Sequence, residues 1–171
     1  LKNTADAVPV LYEDKNVEVF VRQGVYTREE AKARADIRLE NYTKIINIEA
    51  LTMVEMAKRD VIPAVSDFIA ELCGNLAAKR AVYDELPCET EKKLISRLSA
   101  LNDEASLTVE KLESDLKNID MREIVSSAQA MAHTVIPDMD KLRNCVDEME
   151  TLTSSDYWPY PSYFDILYGV K

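Results

Sequence analysis

The sequence runs to 171 residues, 47% of them hydrophobic, which suits one domain with a real core. Its formal charge of −10 argues against nucleic-acid binding and docking on anionic lipid. With three glycines, no Gly-rich phosphate loop can be assembled, and a composition rich in Ala, Leu, Glu, Lys, Met and Arg favours helices.

Residues 1–26 form an opening segment, predicted as extended backbone followed by a short helix. Val8-Pro9-Val10-Leu11 reads as extended, because a proline disfavours the α region for the residue before it. Over residues 14–24 two readings stay open. The alternating valines suit a strand. Val17, Phe20 and Val21 also share a helical face, with Asp14 able to cap and Gly24 suited to the left-handed position after a helix. The helix is the preferred reading.

Thr27-Arg28-Glu29-Glu30 is a capping box, in which each end satisfies an orphan amide of the other. The helix it opens runs to Ile62 and buries Leu39, Tyr42, Ile46, Met53, Met56 and Ala57. Pro63 removes a backbone bond and crowds the carbonyl four residues earlier, so a kink is expected. Val65, Phe68, Ile69 and Leu72 then resume the stripe, which Gly74 is expected to end or bend, and a further helical stretch runs from Leu76 to Leu86.

A third long helix is predicted over Glu89–Asn118. Leu94, Leu98, Leu101, Ala105, Thr108 and Leu112 alternate steps of four and three, the seam of a coiled coil. The fourth starts near Asp120 with Glu123 at its third position, and buries Ala128, Met131, Val135, Met139, Leu142, Val146 and Met149. It carries Pro137 in the tripeptide Val135-Ile136-Pro137, which repeats Val61-Ile62-Pro63. Either chance or a matched pair of bends, two packed helices kinked at one level, accounts for the repeat.

Residues 154–171 differ. Tyr157, Trp158, Tyr160, Tyr163, Phe164 and Tyr168 are six of the chain's twelve aromatics, while Pro159 and Pro161 are expected to forbid a regular helix. So apolar a tail must pack, on its own bundle or on a neighbouring domain or subunit, and these six residues are the candidate docking surface. The fold class is therefore all-α, a bundle of long, partly kinked antiparallel helices over residues 27–153 with an irregular aromatic C-terminal tail.

Catalytic groupings are hard to assemble. His133 is the sole histidine and lies in a helical stretch, away from any strand-to-helix elbow, and Ala130 stands where a Glu-x-x-His motif needs its glutamate. Cys73, Cys88 and Cys145 have no C-x-x-C spacing and read as reduced, mostly buried thiols. Carboxylates such as Glu89, Glu91 and Glu113 sit beside lysines on helix faces, which are most simply solvated. No apolar run approaches the roughly 18–20 residues that span a bilayer, and no leader pattern is present. No metal, cofactor, nucleic acid or membrane is therefore expected of this chain, and a cytoplasmic location is.

Two separated stretches carry a resemblance. One comprises Glu40-Asn41-Tyr42, Asn47-Ile48-Glu49-Ala50, Met56-Ala57 and Ile62-Pro63-Ala64-Val65. The other comprises Val146-Asp147-Glu148-Met149-Glu150, Tyr157-Trp158-Pro159-Tyr160-Pro161-Ser162-Tyr163 and Ile166-Leu167-Tyr168-Gly169-Val170. In this order they resemble the C-terminal region of type III glutamine synthetases, with nearly the whole chain covered and the start, which lacks a methionine, compatible with a domain of a longer protein. The resemblance implies a parent that joins glutamate and ammonia at the expense of ATP with Mg or Mn. The catalytic motifs of that family lie upstream and none can be placed on these residues. It further implies a non-catalytic structural and assembly domain, whose partners are the catalytic domain of the same chain and other subunits of a homo-oligomer. Two alternatives stand beside it: a free-standing helical adaptor or coiled-coil module pairing through the Leu94–Leu112 seam, and an all-α enzyme with its site between helices.

Overall fold

A computed structural model describes residues 2–169, and among these every regular element is helical. In chain order they are α1 (Thr4–Ala7), a 3-10 turn (Val8–Tyr12), α2 (Asp14–Arg22), α3 (Arg28–Met56), a π-helical turn (Ala57–Val61) and α4 (Ile62–Val82). After these come α5 (Glu89–Asn118), α6 (Ile124–Ala130), a second π-helical turn (Met131–Val135), α7 (Ile136–Leu152) and α8 (Tyr163–Tyr168). The all-α expectation holds, with α5 at the bounds that the seam predicted.

The opening segment is helical where extended backbone was expected. Val8 takes αR angles (φ −65, ψ −41) although Pro9 follows it. The proline sits in the first turn of the 3-10 element, where its missing N–H costs nothing, and α1 delivers the chain to it already helical. Residues 14–22 settle as the helix, closed by Gly24 at φ +65, a left-handed angle that glycine adopts without a Cβ penalty. Asp14 does not cap it; Glu13 holds the cap position without a side-chain bond, and Asp14 lies in the first turn. The capping box of α3 forms as read. Glu30 N–H donates to Thr27 Oγ1 (3.1 Å) and Thr27 N–H to Glu30 Oε2 (2.8 Å). The Thr27 amide, and then its hydroxyl, hold the Glu30 carboxyl below its usual pKa.

Both Val-Ile-Pro tripeptides are preceded by a π-helical turn in the same register. Pro63 and Pro137 offer no N–H and would crowd the carbonyls four residues before them. The chain widens instead: Ile62 N–H reaches back five residues to the Ala57 carbonyl, and Ile136 N–H to that of Met131. The side chains turned inward follow one spacing in both stretches. Ala50, Val54, Ala57, Val61, Val65, Phe68 and Leu72 are buried, and Ile124, Ala128, Met131, Val135, Met139, Leu142 and Val146 are buried or half-buried. The four-three alternation gives way there to two successive steps of four, a spacing that averages close to the α-helical turn and keeps the stripe on one face. The wide turn falls at that step.

Three further boundaries differ from the sequence reading. Gly74 neither ends nor bends a helix; α4 runs through it to Val82, short of the expected Leu86, because one exposed glycine costs only about 1 kcal/mol. The fourth element begins at Ile124, not near Asp120. The Asp120 carboxylate instead accepts from the Arg122 amide (3.1 Å) and guanidinium (2.8 Å), which holds a turn. And α8 follows Pro161 directly, because Ser162 and Asp165 form a capping box beyond the proline.

The chain divides into two compact units. Residues 1–52 with 112–139 form the first, in which Ala5, Val8, Ala35, Leu39 and Ala128 make a core flanked by Leu11, Tyr12, Tyr42, Ile124 and Ala132. Within it Tyr12 lies against α3. Its hydroxyl donates to Asp36 and approaches the Lys32 carbonyl (2.8 Å), and burial, then the Asp36 bond, push its pKa up.

Residues 53–111 with 140–171 form the second unit. There α4 and α5 run antiparallel, since Lys79 pairs with Glu91 while Asn102 Nδ2 donates to Ser66 Oγ (2.9 Å). The same test applies to α5 and α7, where Arg97 grips Glu148 with two bonds of 2.5 Å and Lys141 pairs with Glu104 (3.2 Å). The guanidinium of Arg97 holds the Glu148 carboxyl below its usual pKa. Along the α5 seam Leu98, Leu101, Ala105, Thr108 and Leu112 are buried by the chain itself, joined by Val109, which the seam reading did not include; Leu94 is half-buried.

Mean hydropathy adds to the reading of apolar runs. Among the described residues one helix, Arg28–Val82, contains an 18-residue window of mean hydropathy 1.3, long and apolar enough by composition to cross a bilayer. Counting uninterrupted apolar runs overlooked it, because isolated charges break the run without lowering the average much. Only 17% of that window is buried.

Two substitutions check this description. Gly74→Ala should raise stability by about 0.5–1 kcal/mol in urea unfolding, since the site is helical, exposed and has nothing within 4 Å of an added Cβ. Leu112→Ala, at a fully buried position, should lower it by about 2–5 kcal/mol in the same measurement.

Candidate docking surface

The six aromatics read from the tail separate into two groups with different neighbours. Tyr157, Trp158 and Tyr160 are half-buried within the second unit; Tyr163, Phe164 and Tyr168 are exposed. The division falls at Pro161, after which the chain starts α8.

The first group fastens the tail to α4 and to the π turn before it. Tyr157 places its ring 5.3 Å from that of Phe68, and hydrogen bonding to Glu71, followed by partial burial, raises its hydroxyl pKa. Its amide and that of Trp158 both donate to the Ser154 carbonyl, at 2.9 and 3.0 Å. Tyr160 donates its hydroxyl to Asp60 Oδ2 at 2.8 Å, and burial, then that bond, push its pKa up to about 12. The phenol therefore stays protonated, and able to donate, across the physiological range. Because residue 157 lies at Phe68 and residue 160 at Asp60, this stretch runs back toward the start of α4.

The second group is built outward. Ser162 accepts from the Asp165 amide (3.3 Å), Asp165 Oδ2 accepts from the Ser162 amide (2.9 Å), and Gly169 closes the helix at φ +58. Both ends of α8 are thus capped by its own residues. Positions 163, 164, 167 and 168 share one face of a helix. That face carries Tyr163, Phe164, Leu167 and Tyr168, with the Phe164 and Tyr168 rings 4.8 Å apart. Tyr163 is 85% exposed and Leu167 72%, and no residue of α8 is buried.

Ile166 and Leu167 belong to this surface although the aromatic pattern did not single them out. The signal that could have found them was Ser162-x-x-Asp165 followed by Gly169, a start and a stop for a short helix. Of the terminal Leu-aromatic-Gly-Val pattern, Val170 lies outside the described residues.

The remaining sites of chemical interest do not converge. His133, exposed in the second π turn, sets Nε2 3.3 Å from Asp6 Oδ1. Cys88 and Cys145 are buried and Cys73 exposed, all as free thiols, and burial, then Glu104, raise the Cys145 pKa. Among the described residues no group of three or more His, Cys, Asp and Glu is arranged to hold a metal ion, so the donor set does not fit a Mg or Mn site. Open grooves among the described residues include two. One of about 410 Å3 is lined by residues 21 and 24–30, and one of about 520 Å3 by Lys92, Lys93, Ser96, Arg97 and Ala100. Neither gathers an acid, a base and a nucleophile in one place.

Comparison with known proteins now carries weight. The family profile of the glutamine synthetase C-terminal domain matches residues 1–80. A glutamine synthetase of Butyrivibrio fibrisolvens is 33% identical over 172 aligned residues, covering 100% of this chain and 25% of the relative. A type-3 glutamine synthetase of Dictyostelium discoideum is 25% identical over 98% of this chain and 24% of its own length. A glutamine synthetase of Bacteroides fragilis (strain YCH46) is 23% identical over 88% of the chain and 21% of the relative. The chain thus spans about a quarter of the length of the relatives it matches. The match to residues 1–80, together with relatives aligned along nearly all of the chain's length, supports the glutamine synthetase C-terminal domain as its family, with a type 3 enzyme among those relatives.

Proposed function

We propose that the chain is a non-catalytic structural and assembly domain of a glutamine synthetase, cytoplasmic and part of a homo-oligomer, with α8 as its docking element. The activity of the whole protein, on this reading, is the ATP-dependent joining of ammonia to glutamate. Nucleotide, Mg or Mn, and both substrates would be held by the portion that these residues do not include. Its partners are that catalytic portion and other copies of the protein, with nucleic acid and membrane playing no part.

One observation carries the reading. A helix capped at both ends by its own residues, and held at its base by Tyr157 and Tyr160, exposes an aromatic face that buries nothing. Leaving such a face in water forgoes about 25 cal/mol for each Å2 of apolar surface. A face of this kind is the footprint of a partner. The adaptor reading loses its support, because the α5 seam it needs is filled from within the chain.

The test uses the whole synthetase and the 171-residue chain side by side. The chain alone should form no glutamine from glutamate, ammonia and ATP. In the whole protein, Phe164→Asp with Leu167→Asp should shift the assembled species toward smaller ones in light scattering, with helix content unchanged. Glutamine formation by the isolated chain, or an assembly indifferent to both aspartates, would falsify the proposal.

A further inference from the structure

A second apolar surface lies on α3, on the side turned away from its core. Ala35, Leu39 and Ala50 face inward and are fully buried, whereas Ile37, Ile45, Ile48 and Leu51 stand on the outer side, each at least half exposed. A helix apolar on both sides is expected where both are covered.

Charges of both signs accompany this stripe. Glu30, Glu40 and Glu49 stand beside Arg34, Arg38 and Lys44, all of them exposed. A mixed surface of this kind selects neither a basic nor an acidic partner, but it can match itself. Glu30 closes the α3 capping box, Arg34 lies 4.5 Å from the centre of the Tyr26 ring, and Lys44 pairs with Glu40 at 2.7 Å. Arg38 and Glu49 have no ionic or hydrogen-bonded side-chain partner among the described residues.

The positions of these two free charges are informative. At 3.6 residues per turn they fall on the same flank of the stripe, about 16 Å apart along the helix axis, so they cannot meet within one helix. Between two helices they can. The midpoint of Arg38 and Glu49 falls between Thr43 and Lys44, and that of Ile37 and Leu51 falls on Lys44. The ends of the apolar stripe and the two free charges therefore share one centre. Turned end for end about it, a second α3 brings its Leu51 to Ile37 and its Glu49 to Arg38, and the same pairs form again on the other side of the axis.

We infer that the Ile37–Leu51 stripe packs antiparallel on the same stripe of a second copy, about a two-fold axis at Lys44, with Arg38 of each copy paired to Glu49 of the other. The inference rests on the homo-oligomer in the reading above and adds a contact separate from α8. One surface meets itself, so the contact is isologous and closes as a dimer. Apolar burial supplies the attraction, and the two ion pairs set direction and register, because a parallel pairing would leave Arg38 and Glu49 apart. The Lys44 side chains approach each other at the axis, where each keeps Glu40 as its counter-charge.

Charge reversal tests the two-fold directly. Sedimentation of the 171-residue chain should show a monomer–dimer equilibrium that stops at the dimer. Arg38→Glu sets carboxylates against each other on both sides of the axis and Glu49→Arg sets cations so, and either alone should weaken dimerisation about tenfold. Mixed in equal amounts, the two variants should form a heterodimer as strong as the wild-type dimer, and a chain carrying both reversals should again pair with itself. Both positions are exposed, so the fold should survive, as unchanged thermal unfolding would show. Ile48→Asp should abolish the dimer, while Phe164→Asp with Leu167→Asp should leave it intact. A wild-type chain monomeric at every concentration, reversals that leave the dimer unweakened or fail to rescue one another, or a dimer lost with the α8 pair overturns the inference. If the chain is monomeric while assembly of the whole synthetase still depends on α8, the assembly reading stands and this contact is wrong.

Discussion

The constraint on which the rest of this structure depends is the missing amide of two prolines inside long helices. Pro63 and Pro137 cannot continue a regular ladder, and the buried side chains around them step by four twice in succession. A π-helical turn answers the missing amide. It lets the amide before the proline reach back five residues, and Val65 and Leu142 beyond it are fully buried.

The same turns hold the two ends of the chain. Asp60, in the first, accepts the Tyr160 hydroxyl and so fixes the base of the tail. His133, in the second, meets Asp6 of α1. A π turn pushes a side chain out of the regular helical surface. Here that displacement is used for attachment, and what it attaches at the C-terminal end is the rigid stem of α8. Pro159 and Pro161 restrict the stem further, because each fixes one backbone angle. The aromatic helix is presented from a defined base, which lowers the ordering cost of docking.

The chemistry of the chain follows from what it spends its polar residues on. Its carboxylates pair with lysines and arginines along helix faces, as in Arg97 with Glu148 and Lys79 with Glu91, or cap helix ends, as in Glu30 and Asp165. Such pairs set register between neighbouring helices more than they stabilise them, because exposed ion pairs contribute only about 0–1 kcal/mol each. Stability comes from the buried stripe of Leu98, Leu101 and Leu112 on α5 and its counterparts on α4 and α7. Packing of this kind leaves apolar side chains such as those of α8 outside the cores, which suits docking.

Local chemistry in the sequence determined the helical class, the α3 capping box, the bounds of α5 and most of the buried stripe, because periodicity and caps act within a few residues. It also contained the signals for α8, although the prolines before it masked them. Local rules misjudged Val8–Leu11 and Gly74, since both preferences are worth about 1 kcal/mol and helix continuity outweighs them. Only tertiary structure decided that the aromatic tail divides at Pro161, with Tyr160 held by Asp60 and Phe164 left in water, and that Ile45 and Ile48 face away from a core. Which apolar residue is buried depends on partners far along the chain. Composition counts apolar residues without saying which of them find one.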